Sequence, residues 1–188
     1  MPITGSQHYS ILGDMMAPQT EPCEIRAAVV TIIDRDALLG TLREIAYRHN
    51  THIVCFDAEK MAGLRHAEFA VRHAQHSRYN GVPISNSFEM EALLYAAGSR
   101  QCSVAASFGI HDGENHLYVC CCPACDGAWK DLGRHLCFVT ETGDGMTAEK
   151  TARLMELFGI TPEEIDAAGS GHVTALVLER VAFLEVCK

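Results

Sequence analysis

A chain of 188 residues, 48% hydrophobic and 21% charged, is long enough to bury a substantial core as one domain and too apolar to be disordered. Its formal net charge of −9 argues against a stand-alone nucleic-acid binder, because phosphate neutralisation needs clustered lysine and arginine. No apolar run approaches the roughly 18–20 residues of a membrane span, and no basic flank precedes an apolar core at the N-terminus, so no membrane association, no signal peptide and a cytoplasmic location are expected.

The first strand-like piece is His8 to Leu12, followed by a loop with Gly13, Pro18 and Pro22. Glu24 to Ile33 reads as a buried strand, being short, β-branched and bounded by turn residues. Asp34 or Asp36 caps the next helix, whose stripe is Leu38, Leu39, Leu42, Ile45 and Ala46. Thr51 to Phe56 is a second strand, and Asp57 stands as N-cap of a helix from about Ala58 to Tyr79 that Asn80-Gly81 ends. Asn86 is expected to cap a further helix running to about Phe108, with Glu89 completing a capping box. His116 to Cys122 is a third strand, Ala128 to Leu136 has a helical pattern, and Glu141 to Gly145 is a loop. Thr147 opens a helix striped by Thr151, Leu154, Met155 and Phe158, and Thr161-Pro162-Glu163-Glu164 is a helix start. The segment from Thr174 is helical by pattern, although its β-branched content leaves a strand open. Few strands with helices between them and no separating linker predict one α+β domain over 1–188, a small mixed or mostly antiparallel sheet covered by several helices.

Three constellations could carry chemistry. In a continuous helix from Ser87 to Phe108, Gln101 falls in the middle of an arc formed by Met90, Leu93, Leu94, Ala97, Val104, Ala105 and Phe108. A carboxamide there is either clamped to a neighbouring backbone or reads something in a recess, while Arg100 projects away. The helix from Ala58 has a small-residue arc opposite Arg65, His66, Arg72, His73 and His76, with Phe69 among them. That face suits phosphate contact with base stacking, or is a solvated surface. Nine cysteines without a secretory signal read as reduced thiols. Cys120, Cys122, Cys125 and Cys137 offer a metal or redox site, weakened because a second CxxC is missing; buried apolar filling is the plainer role. No P-loop, HExxH, GxSxG or GxGxxG is present, and Glu89 and Glu91 diverge on a helix, so no catalytic centre, metal or cofactor is expected.

The stretch from Ile84 to Gln101, ISNSFEMEALLYAAGSRQ, carries a resemblance, together with FDA at the preceding strand end, Ala62-Gly63 and Arg65-His66. It resembles the smallest, kinase-binding subunit of the KEOPS complex, the TPRKB-like family of the tRNA threonylcarbamoyladenosine pathway. The likeness is strongest from His52 to His116 and from Leu178 to Val186. Matching positions are Gly63, Asn86, Ser87, Glu89, Glu91, Tyr95, Gly98, Arg100 and Gln101, with Arg65 and His66 upstream. The resemblance implies a non-catalytic regulatory subunit. Such a subunit binds the small atypical kinase, stimulates its ATPase activity and helps hold the 3′ CCA end of tRNA. Arg65, His66, Arg72, His73 and Arg100 are then the expected RNA contacts.

Overall fold

The apolar run at the centre of the chain explains its architecture. Leu117 to Cys122 is buried without interruption, which a strand tolerates only when both of its faces are covered. It belongs to β3 (Gly113–Cys122), which lies between β2 (His52–Asp57) and β1 (Glu24–Ile32). A short edge strand, β4 (Cys137–Val139), completes the order β2-β3-β1-β4, with every pair antiparallel. The computed structural model describes residues 21–140 and 145–186, except the side chains of Ser170, Glu185 and Val186. The strand expected at 8–12 and most of the 141–145 loop therefore lie outside the described residues. The fold is α+β: one four-stranded antiparallel sheet with eight α-helices among the described residues.

Alternation along the strands divides the core in two. Val54, Phe56, Tyr118, Cys120 and Cys122 face one helical layer, made of α2 (Leu64–Tyr79), α3 (Phe88–Ala97), α6 (Ala148–Phe158) and α8 (Val173–Val186). Ala28, Ile32, Ile53, Cys55, Leu117, Val119 and Cys121 face the other, made of α1 (Arg35–His49) and α5 (Asp126–Leu132).

Several expected boundaries hold. The Asp34 carboxylate accepts from the Ala37 N–H and starts α1, which Asn50 ends in the left-handed conformation. Thr147 caps α6, and a full capping box with Glu164 starts α7 (Pro162–Ala168) at Thr161. In α8, Val173, Val177, Val181 and Leu184 form one buried stripe at helical spacing, so packing overrides the β-branched preference.

Others are corrected. Asp57 caps only a short 3-10 turn (Ala58–Lys60), because Met61 and Ala62 plug into the core and Gly63 turns the chain at φ 85° before α2 begins. Ser87, not Asn86, caps α3, its hydroxyl accepting from Met90 N–H, while Glu89 reaches across to His52. The helix expected to run through to Phe108 breaks at Gly98, which adopts a left-handed φ of 56°. A separate short helix, α4 (Cys102–Ala106), follows, with Gln101 as its exposed N-cap. Gln101 is thus neither in a helical arc nor in the core. The helix expected over Ala128 to Leu136 starts earlier and stops at Leu132, and β4 occupies residues that gave no strand signal.

The cysteines also differ from expectation. Glu24 pairs with Cys121 in the β1–β3 register, which places Cys23 beside Cys122, and these two are joined in a disulfide. No helix among the described residues is long and apolar enough to cross a membrane.

Candidate functional site

The residues expected to touch RNA or to form the motif converge on α2, α3 and the loop joining them. On α2, Ala67, Ala70, Val71 and Ala74 are buried as the small-residue arc requires, and they let α3 approach closely. Arg65, Glu68 and Arg72 occupy the solvent side of the same helix. Glu68 stands between the two arginines at one-turn spacing and dilutes their field. His73 is half-buried between the rings of Phe69 and Tyr95, at 4.3 and 5.4 Å. It belongs to the packing between α2 and α3 as much as to the surface.

His66 is a correction. It is 0% exposed, its Nδ1 accepts from Ala62 N–H at 3.1 Å, and Phe158 packs edge-on against its ring. That hydrogen bond assigns the proton to Nε2, on the side of the Ala96 backbone. Burial pushes the imidazole down to about 4, with the Ala96 backbone opposing part of the shift. A neutral, enclosed ring cannot contact a phosphate. It holds the 61–63 turn against the start of α2.

Most of the motif on α3 has the same character. Glu91 is 0% exposed, and its two carboxylate oxygens accept from Ile84 N–H at 3.0 Å and Ser85 N–H at 2.5 Å. A buried carboxylate is stable only when donors converge on it, and here both donors come from the loop that leads into the helix. Arg78, near the end of α2, donates to the Ser85 and Asn86 carbonyls and ties the same loop from the other side. Ser87 caps the helix, Tyr95 is wholly buried, and Gly98 turns the chain where Arg180 of α8 passes, its carbonyl oxygen 3.6 Å from the position a Cβ would take. Glu89 remains at the surface, with His52 Nδ1 at 2.8 Å. Partial burial works to raise its carboxyl, but the His52 hydrogen bond and neighbouring donors hold it below the usual range.

Arg100 and Gln101 are exposed beyond the end of α3. His66 lies against Ala96, so this end of α3 adjoins the start of α2, and Arg65 and Arg100 share one end of the helical pair. Arg65, Arg100 and Gln101 are exposed at this end, while Arg72 lies about two turns further along α2, beside Glu21, Cys23 and Gln75. Sequence reasoning missed the clamp by Glu91. Its signal was an acid one turn before Leu94 and Tyr95, on the apolar side of the helix.

The cysteines do not converge. Cys120 and Cys121 point to opposite faces of the sheet, Cys122 is bonded to Cys23, Cys125 precedes α5, and Cys137 is exposed on β4. Among the described residues no three His, Cys, Asp or Glu side chains are grouped to hold a metal ion. Burial pushes the Cys55 and Cys121 thiols up to about 12 and Cys120 higher still, which removes the thiolate that nucleophilic or ligand chemistry needs.

No protein-family model matches this sequence, and a search of curated proteins returns no match.

Proposed function

We propose that this protein is a non-catalytic regulatory subunit of the KEOPS type. In this reading it acts in the cytoplasm in tRNA threonylcarbamoyladenosine synthesis, binds and stimulates the small atypical kinase of that complex, and helps hold the tRNA 3′ CCA end. The observation that carries the reading is the coherence of the motif. His66, Ser87, Glu91 and Gly98, far apart in role, brace one α2–loop–α3 unit against α8, and Arg65 and Arg100 stand exposed where α2 begins and α3 stops. A motif that builds a presentation surface suits a binding subunit.

The RNA contact then falls to Arg65, Arg72 and Arg100, since His66 is enclosed. Two or three cations on a chain of net charge −9 give a weak, local contact that the complete complex strengthens. Single-stranded tRNA ends suit such a patch, because unpaired bases stack and hydrogen-bond without a broad basic surface.

The direct test is ATP turnover by the KEOPS kinase with and without a saturating amount of this protein, joined to tRNA binding with and without the CCA end. Stimulated turnover and a large loss of affinity on removing CCA are expected. Unchanged turnover removes the kinase reading. Equal affinity for both tRNAs, or an unaltered salt dependence in Arg65→Ala/Arg72→Ala, places the RNA elsewhere.

The Cys23–Cys122 disulfide supports a second reading, a cysteine-dependent redox protein. Thiol titration with and without reductant, followed by assay of the same kinase, separates the two. Redox-dependent chemistry without any effect on the kinase favours the second.

A further inference from the structure

The outer edge of the sheet beside β2 opens into an apolar groove of about 490 Å³, whose rim includes Ser87 and Glu89 of the motif. Its floor is the edge of β2 itself. Asp57 N–H donates outward to the Phe108 carbonyl at 2.8 Å, and Thr51 N–H donates to Ala46 O at 3.0 Å. Backbone groups of an antiparallel strand point to the same edge at every second residue, so Ile53 and Cys55 also face outward, between these two bonds. No backbone partner meets them on that side among the described residues. Unpaired edge groups in an apolar setting are a template for another strand.

The walls decide what kind of occupant fits. Leu39 and Leu42 of α1 rise on one side, and Met90 and Leu93 of α3 on the other. Both helices flank the edge, so a second copy of the sheet cannot reach β2 past them, whereas a single extended segment can. Side chains of such a segment alternate between the two walls and continue the two halves of the core, so it must be apolar on both faces. The rim adds a sign. Arg43 has no ion pair among the described residues, the Arg35 guanidinium meets the adjacent exposed Asp36 while its backbone N–H donates to the Asp112 carboxylate, and Glu89 opposite is already engaged by His52. The uncompensated charge at the groove is positive on a chain that is otherwise acidic.

We propose that β2 is a docking strand for an extended apolar segment of a partner protein, added edge to edge, with an Asp or Glu of that segment placed against Arg43. The groove contains none of Arg65, Arg72 and Arg100, so its test is distinct from that of the tRNA reading.

The test uses the full chain and a random heptapeptide library, with winning sequences remade as synthetic peptides for fluorescence anisotropy. The expected winners carry at least three adjacent apolar residues and one acid. N-methylation of alternate backbone amides should weaken binding at least tenfold in one register and little in the other, because only one set of amides faces β2. Arg43→Glu should lose at least tenfold and recover when the peptide acid becomes Lys. Ala106→Glu, a change at an exposed position lining the groove, should abolish binding without affecting the fold. A library that enriches no sequence, or winners indifferent to Ala106→Glu or equally tolerant of both methylation registers, would overturn the proposal.

Discussion

The two sides of the sheet place their charged groups differently. On the α2–α3 side, His66 and Glu91 are carried into the middle of the core, each satisfied by main-chain N–H groups of the turn or loop it holds. On the α1–α5 side most ion pairs stay at the periphery, and the buried polar group is a neutral one, Asn115, which clamps residues 111–113. Asp131 gathers Arg48, His49 and Arg134 at the helix ends, with Arg48 and Arg134 well exposed, and Arg26 lies over the Trp129 ring. A buried polar group specifies a chain path, because leaving its donors unpaired is costly. A surface cluster tolerates exchange, because water replaces whatever is lost. The loop that carries the motif is therefore fixed from within by a buried acid.

Breaking that contrast should cost most at Glu91. Glu91→Ala strands the Ile84 and Ser85 N–H groups and should lower stability by about 4 kcal/mol in urea unfolding, at about 2 per orphaned donor. Glu91→Gln keeps one acceptor and should lose about half of that. Equal, small losses in both would place water at those donors.

His66 gives the pH signature of the same side. Its folded value is depressed to about 4, whereas the unfolded side chain titrates near 6.5. The neutral ring is common to both states above pH 6.5, so this stability is fully present there. As the pH falls, the unfolded chain takes up the proton first, and about 3 kcal/mol should be lost between pH 6.5 and 4, with no further loss from this group below. His66→Leu should flatten this window in denaturant titrations. Asp131, whose carboxyl is held low by hydrogen bonds from His49 and Arg48, acts in the same direction in a lower window: its stabilisation is present above the carboxylate range and lost as the pH falls below it.

Gly127 sharpens the comparison on the α1–α5 side. A Cβ there would stand 2.7 Å from the His49 ring, yet His49 is near the surface and can swing away from Asp131. Gly127→Ala should cost about 1 to 2 kcal/mol, and the loss should vanish in a His49→Ala background. Gly98→Ala on the other side should cost about 1 kcal/mol through its left-handed backbone alone, with nothing to rescue it. Thermal unfolding of these variants separates strain in a side chain from strain in the main chain.

Much of this organisation was legible in the sequence where local rules agree with packing. Asp34, Thr147 and Thr161 cap helices as their spacing requires, and β1 and β3 announce themselves by short β-branched or continuous apolar runs. The failures share one cause, a local pattern interrupted by a distant contact. The arc that placed Gln101 in the core assumed a helix passing through Gly98, where the chain instead turns beneath α8. Arg65-His66 reads as a basic pair, but one member is drawn inward to hold residues 61–63. The three residues of β4 have no signal of their own and become a strand because β1 offers an edge. Cys23 and Cys122 are neighbours only through strand register, which no spacing along the chain reveals.

The place of β3 in the strand order has a consequence for how the molecule is made. β1 and β2 never touch; each pairs with a strand that leaves the ribosome only after α1, α2, α3 and α4, and the register joins Glu24 to Cys121 and Ile32 to Gly113. Until residue 122 is synthesised, two apolar strands wait without a ladder, and helical pairing of α2 with α3 is the main native structure available. The sheet then closes by insertion of its own centre, a long-range step that sets a slow folding rate. During that interval the unpaired strands are the stretch of this protein most exposed to wrong partners.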